Sequence, residues 1–389
     1  MKKRKICIVT GSRAEYGLLK PLMVKIKEDN NFILQTVVTG THLSKDFGLT
    51  YKEITNDGFE LDYKVDIDLT DDTPVGISRS MGLAMIGFGK AYEQLKPDMV
   101  VVLGDRFEIF SAVASAHVTR IPVVHLHGGE VTEGAFDDAF RHSITKMSYL
   151  HFVSTEECRK RVIQLGETPD RVFNVGAIGL DNIKDMKLLS RDELEKALKF
   201  KFNKCNLLVT YHPVTLENDT SQEQFQEILN AIDQLEDTNV VFTKTNADTN
   251  GRIINKMIDE YVEKERSKAI AFTSMGQLKY LSTMQFVDAV VGNSSSGIIE
   301  APSFKIATVN IGDRQKGRIK ATSVIDCEPT KDAIYNAIHK AMQHKGFRDT
   351  VDKIINPYGG GDTSNKIKNI LNNFQVGQSL KKSFYDLRG

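Results

Sequence analysis

Several absences narrow the field before any motif is read. The sequence has no net charge: 51 Lys and Arg residues balance 51 Asp and Glu over 389 positions. That balance removes the long-range electrostatic argument for a nucleic-acid or anionic-membrane partner, while leaving room for a local basic pocket. Cysteine is sparse, and Cys7, Cys158, Cys205 and Cys327 show no C-x-x-C spacing. They read as small buried hydrophobes in a reducing compartment, not as disulfides or zinc ligands. No apolar run approaches the roughly 18 residues that mark a membrane span. The basic start MKKRK leads only into the short run Ile6–Thr10, too brief for a secretion signal, so a cytoplasmic protein is expected. The acidic cluster Asp66, Asp68, Asp71 and Asp72 lacks the spacing of a calcium loop.

What is present is a repeated rhythm. Length alone makes two domains the expectation. Lys5–Thr10 is a short apolar run, Gly11–Gly17 a small polar loop, and Leu18, Leu19, Leu22, Met23 and Ile26 recur at helical spacing. Phe32–Gly40 is a second strand, and Ile77–Leu95 reads as a long helix carrying Gly82, Gly87 and Gly89. Buried strands alternating with amphipathic helices predict a parallel α/β sheet, whose ligands sit beyond the carboxyl ends of the strands. The rhythm restarts after the charged, helix-prone stretch Leu180–Lys204, with strands at Asn206–Tyr211, Val240–Thr243, Ala269–Phe272, Val290–Gly292 and Ile306–Asn310. The fold class expected is therefore α/β with two Rossmann-like domains. We place the first at 1–180, the second at 181–365, and a terminal helix and loosely ordered basic tail at 366–389.

Candidate residues fall where the strands end. Arg13 follows Gly11 and Ser12, which suits an anion or merely a solvated turn; the loop is not a GxGxxG dinucleotide fingerprint. MVVVLGDRFE (Met99–Glu108) runs four apolar residues into Asp105 and Arg106, and Asp105 is equally a helix cap or an acid placed for chemistry. IPVVHLHGGE ends in His125, His127 and Glu130. A metal pair is conceivable there, but no third ligand has diagnostic spacing, and no metal is expected. On the following helix Asp137 shares a face with Arg141, and Asp138 with His142, either as a surface ion-pair ladder or as carboxylates held beside a cleft. In the second half His212 precedes Pro213, which keeps it off a helix; Asn246 lies after a strand. In VVGNSSSGIIEAP, Asn293, Ser294, Ser295 and Ser296 sit between an apolar run and a helix start. Such residues cap helices, and they also bind phosphate.

Taken together, GSRAEYG, LGDRFE, HLHGGE, DDAFRHSITKMS, YHPVT, GNSSSG and NIGDRQKGR occur in this order over residues 11 to 318. With these motifs the chain resembles the hydrolysing UDP-N-acetylglucosamine 2-epimerases of sialic acid biosynthesis and the bacterial enzymes acting on related nucleotide sugars. The resemblance implies two Rossmann-like domains facing across a cleft, as in the B-type glycosyltransferases (a GT-B-like arrangement), with the nucleotide mainly against the second. It implies a UDP-sugar substrate, no cofactor and a homodimer or homotetramer. The reaction implied removes the C2 proton, expels UDP to leave a 2-acetamidoglycal, then adds water at C1 and a proton at C2 from the other face. UDP-N-acetylglucosamine is the first substrate expected, giving N-acetylmannosamine. The alternatives are a UDP-linked 2,4-diacetamido-2,4,6-trideoxy sugar of the legionaminic acid route, or glycosyl transfer on the same fold. Carried over by position, Asp105 and Asp137 match catalytic acids, and His212 a histidine facing the diphosphate. Arg13, Ser294 and Ser295 match phosphate contacts, Glu300 a ribose contact and Arg314 a nucleotide-side residue; Arg106 and Asn246 match more loosely. Some branches carry glutamate at the place of His127. The resemblance leaves open whether His127 or Glu130 does acid/base work, with Glu130 the nearer candidate.

Overall fold

The structure, a computed structural model, describes residues 3–71, 73–132, 137–213, 220–245, 251–343, 345–351, 353–374 and 380–387. Its strands are β1 (Arg4–Thr10), β2 (Phe32–Val38), β3 (Tyr63–Lys64), β4 (Met99–Leu103), β5 (Val123–Leu126), β6 (Leu150–Val153) and β7 (Val172–Asn174). They continue with β8 (Cys205–Thr210), β9 (Thr238–Thr243), β10 (Ala269–Phe272), β11 (Ala289–Gly292), β12 (Ala307–Ile311) and β13 (Val324–Cys327). The first seven form one sheet in the order β3-β2-β1-β4-β5-β6-β7, the other six a second in the order β10-β9-β8-β11-β12-β13. Neighbouring strands pair in parallel throughout. The α/β class expected from the strand–helix rhythm is what the chain forms. Each sheet reverses its strand order once, between β1 and β4 in the first and between β8 and β11 in the second. Those switch points are where open α/β sheets leave a crevice.

The apolar runs explain the layering. Val100, Val101 and Val102 of β4 are fully buried because both faces of the sheet are covered. Val100 and Val102 pack with Cys7, Val9, Phe88 and Val113 on one face. Met99 and Val101 pack with Ile6, Ile8, Leu19 and Met23 on the other. In the second sheet Val209, Val240 and Val291 face one core and Leu208, Val241 and Val290 the other. The expected long helix spans Pro74–Leu95, capped by the Thr73 side chain. A side chain at Gly87 would meet Val65 Cγ1 at 2.5 Å, so close packing accounts for that glycine; Gly82 and Gly89 have open space instead.

The chain divides into two compact units. One is Met1–Glu130, Asp137–Asn182 and Tyr358–Gly389; the other is Val131–Phe136 and Ile183–Pro357. The C-terminal segment is thus no independent tail. Thr363 and Ser364 at the start of the helix Thr363–Asn373 donate their backbone N–H groups to Asp181 at 2.8 and 2.6 Å. Arg4 caps its other end through the carbonyls of Leu371, Asn372 and Phe374. The tail expected to be loose is also anchored: Lys382 donates to both carboxylate oxygens of buried Glu167, at 2.8 and 2.7 Å. Among the described residues no helix is long and apolar enough to cross a membrane.

Candidate active site

The first unit gathers its polar side chains around one buried guanidinium. Arg141 lies on the helix Asp137–Met147 and is 4% exposed. It pairs with Asp105 through Nη2, donates Nη1 to the His127 carbonyl at 3.2 Å, and stands 3.8 Å from Glu130 Oε2. Burial lowers its pKa, but Asp105, Glu130, Asp138 and Asp137 outweigh that and raise it. Asp105 follows Gly104, whose φ of +79° turns the chain sharply off β4. Of the two expected uses of Asp105, the helix cap is not what the chain forms. Arg106, not Asp105, is the N-cap of the helix Phe107–Val118, and it makes no side-chain cap bond. The Asp105 carboxylate is spent on Arg141 instead.

His127 and Glu130 form a second layer behind it. His127 Nδ1 lies 2.8 Å from Glu130 Oε1, and the Ile178 backbone N–H donates to His127 Nε2 at 3.3 Å. A backbone donor can meet only an unprotonated nitrogen, so these contacts place the ring proton on Nδ1, toward Glu130. Glu130, itself 4% exposed, also accepts from Ser154 Oγ at 2.9 Å. His127 has φ +64°, unusual for a residue with a side chain. That conformation takes it out of β5, so the strand alternation expected to align His125 with His127 does not extend to it. His125 is wholly buried, with Nε2 2.8 Å from the Gly104 carbonyl and Nδ1 3.1 Å from Thr145 Oγ1. Burial pushes its pKa down to about 3. Both histidines are thus committed to protein partners. No group of three metal-capable side chains occurs among the described residues. Close packing accounts for Gly129: a side chain there would lie 2.5 Å from the Cys158 carbonyl.

The remaining first-unit candidates lie around this core. Asp138 and His142 make the expected pair at 3.4 Å, and Arg141 reaches Asp105 and Glu130. Arg13 forms a 2.7 Å ion pair with Glu53, and Arg106 one of 2.7 Å with Glu108, which is 1% exposed.

In the second unit Asn293 is the organiser. It is fully buried, accepts the His212 backbone N–H at 2.7 Å and donates to the His212 carbonyl at 2.8 Å. This two-point clamp joins the carboxyl ends of β8 and β11 across the switch point, so Asn293 positions His212. Its own carbonyl accepts from Arg314 Nη1 at 3.0 Å and Gln315 Nε2 at 2.8 Å. The approach demands Gly292: at φ +129° a side chain there would lie 2.0 Å from the Thr210 carbonyl. Ser294 caps the short helix Ser295–Ile299, accepting from the Ser296 N–H at 3.3 Å, so the capping reading of this loop is realised. Ser296 Oγ accepts from Tyr280 Oη at 2.9 Å. Ser294, Ser295, Ser296, Glu300 and Arg314 remain partly exposed. Asn246 lies outside the described residues. Sequence reasoning missed Ser154, Gln315, Tyr280 and the buried Glu15 and Glu108. Glu15 and Gln315 lie within quoted motifs, and their burial was the missing signal.

Two parallel sheets with polar side chains collected at both switch points define a two-unit, Rossmann-like α/β protein of the GT-B-like class. Solved structures agree. The UDP-GlcNAc 2-epimerase from Neisseria meningitidis bound to UDP-GlcNAc superposes with TM-score 0.80 at 18% identity, over 95% of this chain and all of that one. At such identity the likeness speaks for the fold. The family described as UDP-N-acetylglucosamine 2-epimerase matches residues 24–372. The chain is 46% identical to the GDP/UDP-N,N'-diacetylbacillosamine 2-epimerase (hydrolyzing) of Campylobacter jejuni, over 100% of both chains. It is 39% identical to the polysialic acid biosynthesis protein P7 of Escherichia coli, over 99% of this chain and 98% of that one. It is 36% identical to the UDP-N,N'-diacetylbacillosamine 2-epimerase (hydrolyzing) of Legionella pneumophila, over 95% of each. The chain belongs to the UDP-N-acetylglucosamine 2-epimerase family.

Proposed function

We propose that the chain is a hydrolysing nucleotide-sugar 2-epimerase acting on a UDP-linked 2,4-diacetamido-2,4,6-trideoxy sugar of the diacetylbacillosamine type. This departs from the first expectation, UDP-N-acetylglucosamine. Support for the substrate comes from end-to-end likeness to two relatives named for diacetylbacillosamine, one at 46% identity.

The observation that carries the chemistry is the ion pair between Arg141 and Asp105 at the carboxyl end of β4. A hydrogen on C2 of an acetamido sugar is weakly acidic, so its removal needs an ionised carboxylate and a stabilised leaving group. Arg141 holds the Asp105 carboxylate in place while the Asp105 side chain stays 19% exposed. Asp105 and Asp137 are the acids assigned to the two faces of C2. One takes the proton as the C1–oxygen bond to UDP breaks; the other, protonated, then delivers a proton to C2 of the glycal as water adds at C1 and gives up its own proton. Glu130 and His127, buried and hydrogen-bonded to each other, hold Arg141 and the turn after β5 in place. In the second unit His212, fixed by Asn293, is assigned with Arg314 and Ser294 to Ser296 to the departing diphosphate, and Glu300 to the ribose; in the first unit Arg13 is assigned a phosphate contact. Arg106 and His142 line the substrate side of the first unit.

The test is turnover of both donors side by side. We expect kcat/KM for the diacetamido donor to exceed that for UDP-N-acetylglucosamine by at least about 10²-fold, the reach of a site that pairs with a substrate amide. A preference for UDP-N-acetylglucosamine would reverse the assignment.

A further inference from the structure

The mechanism above leaves unused two buried carboxyls beneath the first switch point. Glu15, 6% exposed, accepts the Gly11 N–H on Oε2 at 2.6 Å. Glu108, 1% exposed, holds Arg106 Nε on Oε1 at 2.7 Å. Both abut one glycine: a side chain at Gly11 would lie 2.6 Å from Glu108 Oε1. A side chain at Gly40 would lie 3.2 Å from the same oxygen. Glu15 Oε1 and Glu108 Oε2 are both buried without a hydrogen-bond partner among the described residues. Two ionised carboxylates here would share a single cation, and the surplus charge would have no water to screen it.

The surroundings decide which one takes a proton. Glu108 has Arg106 directly on it. Glu15 has the Gly11 N–H, and Thr10 Oγ1 at 3.5 Å, which in turn lies 3.1 Å from His42 Nε2. His42 is neutral, its pKa pushed down to about 4 by burial. On the same helix as Glu15, Arg13 forms an ion pair with Glu53, and the neutral phenol of Tyr16 donates to Asp57. Burial, against the Gly11 N–H and with Glu108 adding to it against Arg106 and the Ser12 backbone, pushes the Glu15 carboxyl up to about 8.

We propose that Glu15 is a positioning residue that works as a neutral acid. It tethers the β1 loop through Gly11 and carries a proton beside Glu108, so that Arg106 meets an anionic substrate with no surplus negative charge beneath it. Losing that proton weakens substrate binding. The proposal rests on the nucleotide-sugar reading above. The step is a simple ionisation, the proton passing to solvent.

The experiment has two arms on the full-length protein. In the first, kcat and KM for the diacetamido donor are measured from pH 6.5 to 9, alongside the binding of UDP alone. Wild-type KM rises about tenfold across that range, the effect of one charge roughly 10 Å from an anion at an effective dielectric near 20. The ratio of KM at pH 9 to KM at pH 6.5 collapses to about one in Glu15→Gln, which is neutral at both. In the second arm, glutamate labelled with carbon-13 at the side-chain carboxyl reports the titration of Glu15 in the wild-type protein, assigned by difference from Glu15→Gln. A midpoint above pH 7 supports the proposal. A midpoint below pH 5.5, or a wild-type KM rise retained in Glu15→Gln, overturns it. Failure of both sugars to turn over defeats the nucleotide-sugar reading, while the carboxyl titration still decides the protonation.

Discussion

Replacing Arg141 with methionine removes the cation on which the first half of the site converges. The guanidinium is 5% exposed, and its partners Asp105 and Glu130 are 19% and 4% exposed. Taking one member from a buried charge pair costs about 3–5 kcal/mol, because the remaining charges lose their compensation. For a unit of 150–250 residues each kcal/mol corresponds to about 2–4 °C, so the melting temperature of the first unit should fall by about 6–20 °C. Chemistry should suffer as well. Without the cation the Asp105 carboxylate is no longer held in place as a base, so kcat should drop by at least about 10²-fold. Arg141→Lys keeps the charge but not the planar fork that reaches both carboxylates, and should recover only part of each loss. Differential scanning calorimetry with steady-state kinetics reads both effects. The double variant Arg141→Met, Glu130→Gln separates them: removing one orphaned carboxylate should restore melting temperature without restoring kcat. Arg141→Met within about 2 °C of wild type and within about threefold in kcat would refute the reasoning.

Other expectations follow from the same contacts. Asp105→Asn and Asp137→Asn should abolish turnover while UDP binding, measured calorimetrically, stays largely intact. Asn293→Ala releases the His212 backbone and should lower kcat by about 10²-fold, the cost of a misplaced catalytic group. Glu15 holds its proton to about pH 8 in the folded chain against 4.5 ordinarily. Its contribution to stability is therefore full below pH 4.5 and lost as pH rises through 8, so melting temperature should fall over that window, and less in Glu15→Gln. Lys382→Ala breaks charge-assisted hydrogen bonds to Glu167. Burial opposes ionisation of Glu167, yet His151, Lys146 and Lys382 hold its pKa down to about 2. The loss should cost about 1.5–3 kcal/mol, read from denaturant unfolding.

The strands that announced themselves were those buried on both faces. MVVVL and KICIVT are continuous apolar runs ending in glycine, and they became β4 and β1. Strands β6 and β13, LHFV and VIDC, were not legible: each has four residues, and polar ones interrupt them. The return of the C-terminal helix to the first unit could not be read either, because it depends on Asp181 and Arg4, far away in sequence. Site positions were legible as strand ends, but partners were not. Asp137 and Arg141 share a helical spacing, yet Arg141 pairs across to Asp105, a tertiary choice that local periodicity does not encode. The serine loop offered capping and phosphate binding as alternatives. The structure realises the cap at Ser294 while keeping the loop partly exposed. That Asn293 holds the His212 backbone through both ends of its amide was not legible, because the two lie far apart in sequence.

The central claim is that bond cleavage proceeds through loss of the C2 proton. Incubating the protein with the UDP-linked diacetamido sugar in deuterated water, and following UDP and the sugar by NMR, tests it directly. The account predicts UDP release, a free sugar of inverted C2 configuration and deuterium at C2 in every product molecule, with no release by Asp105→Asn. UDP release with the C2 hydrogen retained would contradict it.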